Sequence, residues 1–96
     1  MTSGAAPLFE LGQLFGTPAA LSLLARVGIG PTALLDWHQR GDWGEVPPED
    51  ARENELSVRE GFRILSSYPV GNGGFPVWIL TEADRSATTI LLPAEY

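Results

Sequence analysis

A single imidazole stands in this chain, His38, and histidine is the side chain whose ordinary pKa puts proton transfer within reach of neutral pH. Joined to a cation that holds a phosphate and to hydroxyl donors, such a base makes a metal-independent ribonuclease centre. Arg63, Arg85, Thr88 and Thr89 lie in the segment that reads as sheet and turn, so the catalytic set this chemistry would use is His38, Arg85, Thr88 and Thr89. The competing expectation is structural. A lone histidine near the end of a short helix, beside Trp37, caps or packs; Asp84 and Arg85 cap a tight turn, and the threonine pair fills ordinary strand positions. With one histidine and no cysteine a zinc site cannot be assembled, and the acids lack calcium-loop spacing. No glycine-rich phosphate loop, serine elbow or paired-histidine helix is present. Neither metal nor cofactor is expected.

A second kind of chemistry is offered by charge. Twelve acids face six arginines and no lysine, for a formal charge of −6. The imbalance is local: Asp36, Asp42, Glu45, Glu49, Asp50, Glu53, Glu55 and Glu60 fall within 25 residues that contain only Arg40, Arg52 and Arg59, which leaves −5 there. Such a field repels phosphate backbones, so direct nucleic-acid binding is not expected, while a basic protein surface would be attracted. Trp43, flanked by Asp42 and Glu45, is either an aromatic anchor within this patch or a loop tryptophan folded back onto the helices. The candidate binding set is Asp36, Asp42, Trp43, Glu45, Glu49, Asp50 and Glu53. The plainer reading of the same acids is a solvated helix face that keeps the protein dispersed.

These residues need elements to hold them, and 96 residues with 44% hydrophobic content suffice for one domain, 1–96, in which 1–7 are expected to be flexible. Leu8, Phe9, Leu11, Leu14 and Phe15 suggest a first strand. Thr17-Pro18 opens a helix that Gly28 ends, Gly30-Pro31 opens a second that stops at Gly41, and a third runs from Glu49 to Gly61, with its acids at the positive end. From Phe62 the period changes to two. Strands are expected to Tyr68 or Val70, over Phe75 to Thr81 after the turn Gly71-Asn72-Gly73-Gly74, and over Ala87 to Leu92 after Glu82 to Ser86. Trp78, on the central strand, is expected in the core. The fold class is α+β: short N-terminal helices packed on a C-terminal three- to four-stranded antiparallel meander, with the first strand available to join an edge.

Met1 to Leu8 lacks the basic start and apolar stretch of a secretory signal, and no apolar run approaches the roughly 20 residues of a membrane span. The absence of cysteine fits a reducing, cytoplasmic setting.

Gly41-Asp42-Trp43-Gly44, Glu49-Asp50 with Asn54, Gly61 with Arg63, and above all the run from Trp78 to Pro93 resemble a small family carried on plasmids and integrative elements, described as plasmid-related and in some cases as a type I restriction subunit. The resemblance spans about Leu8 to Tyr96, and Arg52 stands where that pattern more usually has lysine. It implies a mobile-element setting and transfers no catalytic residue. Small acidic proteins of such elements are often inhibitors of host defence, of the anti-restriction or anti-CRISPR type, and an acidic face can occupy a channel built for nucleic acid. The leading expectation is therefore a non-enzymatic binding protein whose partner is a basic protein surface, for instance on a nucleic-acid-handling complex. The alternatives are the ribonuclease or toxin-like enzyme described above, and a structural subunit whose sheet edge pairs with another chain.

Overall fold

The computed structural model describes residues 6–96; the expectation of flexibility over 1–7 lies outside the described residues for 1–5, and Ala6 and Pro7 carry no helix or strand. The chain runs β1 (Gln13–Gly16), α1 (Pro18–Val27), α2 (Pro31–Gln39), α3 (Pro48–Glu60), β2 (Ile64–Val70), β3 (Phe75–Thr81) and β4 (Ala87–Leu91), then a 3-10 turn, Pro93–Glu95. Proline opens each helix at a position where a backbone donor would go unused. Thr17 caps α1, its Oγ1 accepting from the Ala20 N–H at 3.1 Å. Gly28 ends α1 and Gly61 ends α3.

The α+β class holds, with the helices ahead of most of the sheet. The sheet order is β1-β4-β3-β2, and its pairing corrects the purely antiparallel expectation. β2, β3 and β4 form the antiparallel meander, but β1 joins β4 in parallel, Leu14 beside Thr88 and Gly16 beside Ile90. The sheet is mixed because the chain leaves β1 through three helices and two strands before it reaches β4, so nothing constrains that pair to a hairpin. β1 is also shorter than the run Leu8 to Phe15. Phe9 has left that line to enter the core.

Alternation sorts the strands into two faces. Ile64, Ser66, Tyr68, Val77, Ile79, Thr81, Thr88 and Ile90 point to the helices and are buried. α1 rests on β4, α2 on β3 and α3 on β2. The main core gathers Leu24, Leu34, Tyr68, Val77, Ile79 and Ile90, and a second cluster joins Phe9, Trp43 and Ile64 beneath α3. The other face carries Leu65, Trp78, Leu80, Thr89 and Leu91. Trp78 is therefore not in the core: it is half-buried on this outer face, where the Tyr96 ring meets it at 5.6 Å between centroids. Tyr96 is held there by Arg63, whose Nη1 donates to its hydroxyl at 3.1 Å.

No single helix among the described residues is long and apolar enough to cross a membrane; α1 and α2 reach that composition only together, across a 105° bend.

Candidate functional site

His38 lies near the end of α2 and is completely buried. Its Nδ1 is 2.6 Å from Ser66 Oγ on β2 and its Nε2 is 2.9 Å from Thr81 Oγ1 on β3. Thr81 Oγ1 lies 2.7 Å from Thr88 Oγ1 on β4, and Thr88 donates to the Leu11 carbonyl at 2.8 Å. The direction of every proton in this relay follows from its far end. A carbonyl only accepts, so the Thr88 hydroxyl proton is committed to Leu11. Thr88 then accepts from Thr81, Thr81 accepts from His38 Nε2–H, and Nδ1 accepts from Ser66. The ring is the neutral Nε2–H tautomer, and both of its nitrogens are occupied.

Burial holds the His38 pKa at about 3, far below the usual 6.5, with the nearby positive charge of Arg85 pushing the same way. A second ring proton would have to face Ser66, whose hydroxyl would then have to give up the Nδ1 acceptor it now faces at 2.6 Å. Phe9 meets the imidazole edge-on at 5.1 Å and Trp43 at 6.1 Å, which closes the remaining approach.

Arg85 is equally committed. Nη2 donates to the Ser57 carbonyl at 2.7 Å, and Nη1 to those of Phe62, Glu82 and Ala83 at 2.7, 3.3 and 3.1 Å. Its guanidinium lies 5.6 Å over the Phe9 ring. The residue adopts φ 62°, a left-handed conformation that costs a non-glycine side chain about 1 kcal/mol or more. Locking the end of α3 to the β3–β4 turn offsets that cost. Thr89 points to the outer face, away from the relay. Of the four catalytic candidates the structure thus brings His38 and Thr88 into one buried network with Arg85 nearby, while Thr89 stands apart, half-buried on the outer face.

The acidic set is distributed differently. Asp36 stands on α2 and is neutralised by Arg40 at 2.8 Å. Asp42, Glu45, Glu49, Asp50 and Glu53 are exposed on the loop and the first turns of α3, the two segments that cover the outer edge of β2. The spacing 49, 53, 56, 60 places Glu49, Glu53 and Glu60 in one stripe with Leu56. None of these acids forms an ion pair among the described residues, where the salt bridges are Asp36–Arg40 and Arg63–Glu82. Between α3 and the start of β2 runs a groove of about 520 Å³ lined by the acids Asp50 and Glu53, by Val46, Phe62 and Leu65, and by Arg63, which is paired with Glu82.

Trp43 corrects the reading as an exposed anchor. Its side chain is buried in the Phe9–Ile64 cluster and its Nε1 donates to Glu55 Oε2 at 3.0 Å. The physical reason is the neighbouring glycine. Gly44 adopts φ 74°, and a Cβ there would lie 2.0 Å from the Ser67 carbonyl oxygen. This close approach lets the loop act as a short extra strand: Ser67 N–H donates to the Trp43 carbonyl at 3.0 Å and Glu45 N–H to the Ser67 carbonyl at 2.7 Å. Two residues back along β2, the Asn54 amide does the same for Leu65, donating to its carbonyl at 2.8 Å and accepting its N–H at 3.1 Å. The β2 edge is closed by side chain and loop together.

Ser66 and Thr81 were not singled out by motif reasoning, and Asn54 and Glu55 entered only through the family resemblance and the acidic run, with no contact assigned to either. A signal existed for the first two, since each is a polar residue at an inward position of an otherwise apolar alternation. Comparison of the chain with protein families, with characterised proteins and with solved structures finds no match.

Proposed function

We propose that this chain is a non-enzymatic binding protein that docks a basic protein surface through the acidic face formed by the α2–α3 loop and α3. The observation that carries this reading is the contrast between the two candidate sites. His38 and Thr88 are buried and spent in one hydrogen-bonded relay, whereas Glu45, Glu49, Asp50, Glu53 and Glu60 are exposed and form no ion pair among the described residues. A lysine or arginine reaching the groove would lay its aliphatic stem on Val46, Phe62 and Leu65 and its charge between Asp50 and Glu53. Such a surface raises association rates with basic partners and turns away nucleic acid itself. An inhibitor of a cytoplasmic nucleic-acid-handling complex, of the anti-restriction or anti-CRISPR type, is the biological role this chemistry suits and the mobile-element resemblance suggests.

The ribonuclease reading would need a base that titrates near neutrality and a free cation, and His38 and Arg85 supply neither.

The test is affinity capture from host lysate by the wild type and by a variant carrying Glu45→Lys, Glu53→Lys and Glu60→Lys. These positions are exposed and make no side-chain hydrogen bond in the structure, and a cation at Glu60 suits the C-terminal end of α3. The expected result is a partner held at low ionic strength, released near about 1 M salt where charges are screened beyond roughly 3 Å, and absent from the variant. Capture that ignores both salt and charge reversal would remove the acidic face from the account.

A further inference from the structure

The two edges of the sheet are treated in opposite ways. β2 has its outward groups at Leu65 and Ser67 satisfied by Asn54 and by the Trp43–Glu45 loop. Among the described residues β1 has no such cover. Gln13 and Thr17 turn their N–H groups inward, to the carbonyls of Ser86 and Ile90 at 2.9 Å each, and since alternate residues of a strand point to opposite sides, Leu14 and Gly16 direct theirs outward. Edge strands left open in this way normally carry a lysine, a proline or a bulge that discourages pairing. Gln13–Gly16 has none of these.

The side chains agree with the backbone. On the interior strands both faces are covered: Ile79 is 0% and Leu80 7% exposed on β3, Ile90 4% and Leu91 6% on β4. β1 also carries an apolar side chain for each face, yet Leu14 on the helix side is 57% and Phe15 on the outer side 53% exposed. That is the composition of an interior strand at the position of an edge. Leu21 of α1, 40% exposed, lies against Gly16 and extends the patch on the helix side.

Charge selects the occupant. From Leu11 to Ala25 the chain has no charged residue, and Glu95, which approaches at Thr17, is occupied by the Thr17 hydroxyl at 2.7 Å and the Leu92 N–H at 2.8 Å. The unpaired acids lie along the opposite edge, on the cover of β2. Two copies of a chain with net charge −6 can meet at β1 because that is where neither carries its charge. We infer that β1 is a homodimerisation edge, at which two copies pair antiparallel and continue the sheet from four strands to eight.

A two-fold axis through Phe15 and perpendicular to the sheet satisfies the backbone and the side chains together. Leu14 of each copy exchanges hydrogen bonds with Gly16 of the other, its side chain meeting the Leu21 side chain that lies over that glycine. The two Phe15 rings become neighbours on the outer face, in the close, non-hydrogen-bonded position where cross-strand aromatic pairs interact. The dimer carries two acidic faces at its far ends. This inference does not depend on what those faces bind.

The experiment is sedimentation velocity on the full chain from low micromolar to several hundred micromolar, at low and high salt, for the wild type, Leu14→Lys and Phe15→Lys. Both side chains are exposed, so the variants should keep the wild-type circular dichroism and melting temperature. Wild type is expected to reach twice the chain mass, more readily at high salt because the distant acids then repel less. Either lysine should raise the dissociation constant at least roughly tenfold. Deuterium exchange should show the Leu14 and Gly16 amides protected in the dimer and open on dilution. A wild type that stays monomeric throughout, or a dimer that both lysine variants leave intact, overturns the inference.

Discussion

Acidification should destabilise this protein through His38. The native imidazole titrates at about 3 and an unfolded one at 6.5. Between those values the unfolded chain binds a proton that the native chain refuses, so stability declines as the pH falls from 6.5 towards 3 and is indifferent to this group above and below. Each pH unit inside the window costs about 1.4 kcal/mol, which amounts to about 2 kcal/mol at pH 5 and approaches about 5 kcal/mol at pH 3. The cost arises first from taking the charge out of water and then from Arg85 nearby. Urea denaturation from pH 7.5 to 5, run beside a His38→Gln control, isolates the effect. The ring is the only one of its kind in the chain, so its carbon-bound proton resonances can be followed without ambiguity. His38→Gln should be weaker at pH 7.5 and lose the slope. A native imidazole titrating near 6.5, or a free energy of unfolding that is flat from pH 7 to 5, would refute the sealed neutral relay.

Thr88→Val keeps the shape but takes away the hydroxyl that Leu11 and Thr81 share, and leaving those buried partners unpaired should cost about 2 to 3 kcal/mol in chemical denaturation. Asn54→Ala strips both hydrogen bonds from Leu65; a loss of about 2 kcal/mol is expected, together with concentration-dependent association through the uncovered β2 edge, read by light scattering. Gly44→Ala drives a methyl group into the Ser67 carbonyl at a positive φ and should cost about 3 kcal/mol, with the Trp43 fluorescence shifting to the red as the loop detaches.

Where a residue's role is local, the sequence discloses it. Thr17-Pro18, Gly28, Gly30-Pro31 and Gly61 mark the helices to within a residue or two because caps and prolines act on their immediate neighbours. The hairpin around Gly71–Gly74 and the turn at Asp84-Arg85 are legible for the same reason. β1 was legible as a strand but not as a parallel one, since its partner lies more than 70 residues away and nothing in either segment specifies direction. Trp43 shows the same limit. An aromatic among acids in a glycine-bounded turn has the composition of an exposed anchor; the approach of Gly44 to Ser67 and the Phe9–Ile64 cluster turn it inward, and Glu55, 12 positions on, accepts its Nε1–H. The place of His38 at the end of a short helix beside Trp37 suits capping or packing, but its relay rests on Ser66 and Thr81, which look unremarkable until the strands are in register. The acidity of 36–60 was plain in the sequence. That Asp36 is paired, while the acids over the β2 edge are not, needed the fold.

The central claim is that this protein acts through its acidic face and not through its histidine, and the most direct test sets two variants side by side against the captured partner. At pH 7.5, at a temperature where circular dichroism shows both folded, His38→Gln should bind as the wild type does, and the Glu45→Lys, Glu53→Lys, Glu60→Lys variant should not. If the folded histidine variant is inert while the charge-reversed one retains full function, the face is bystander and the buried relay is the working site.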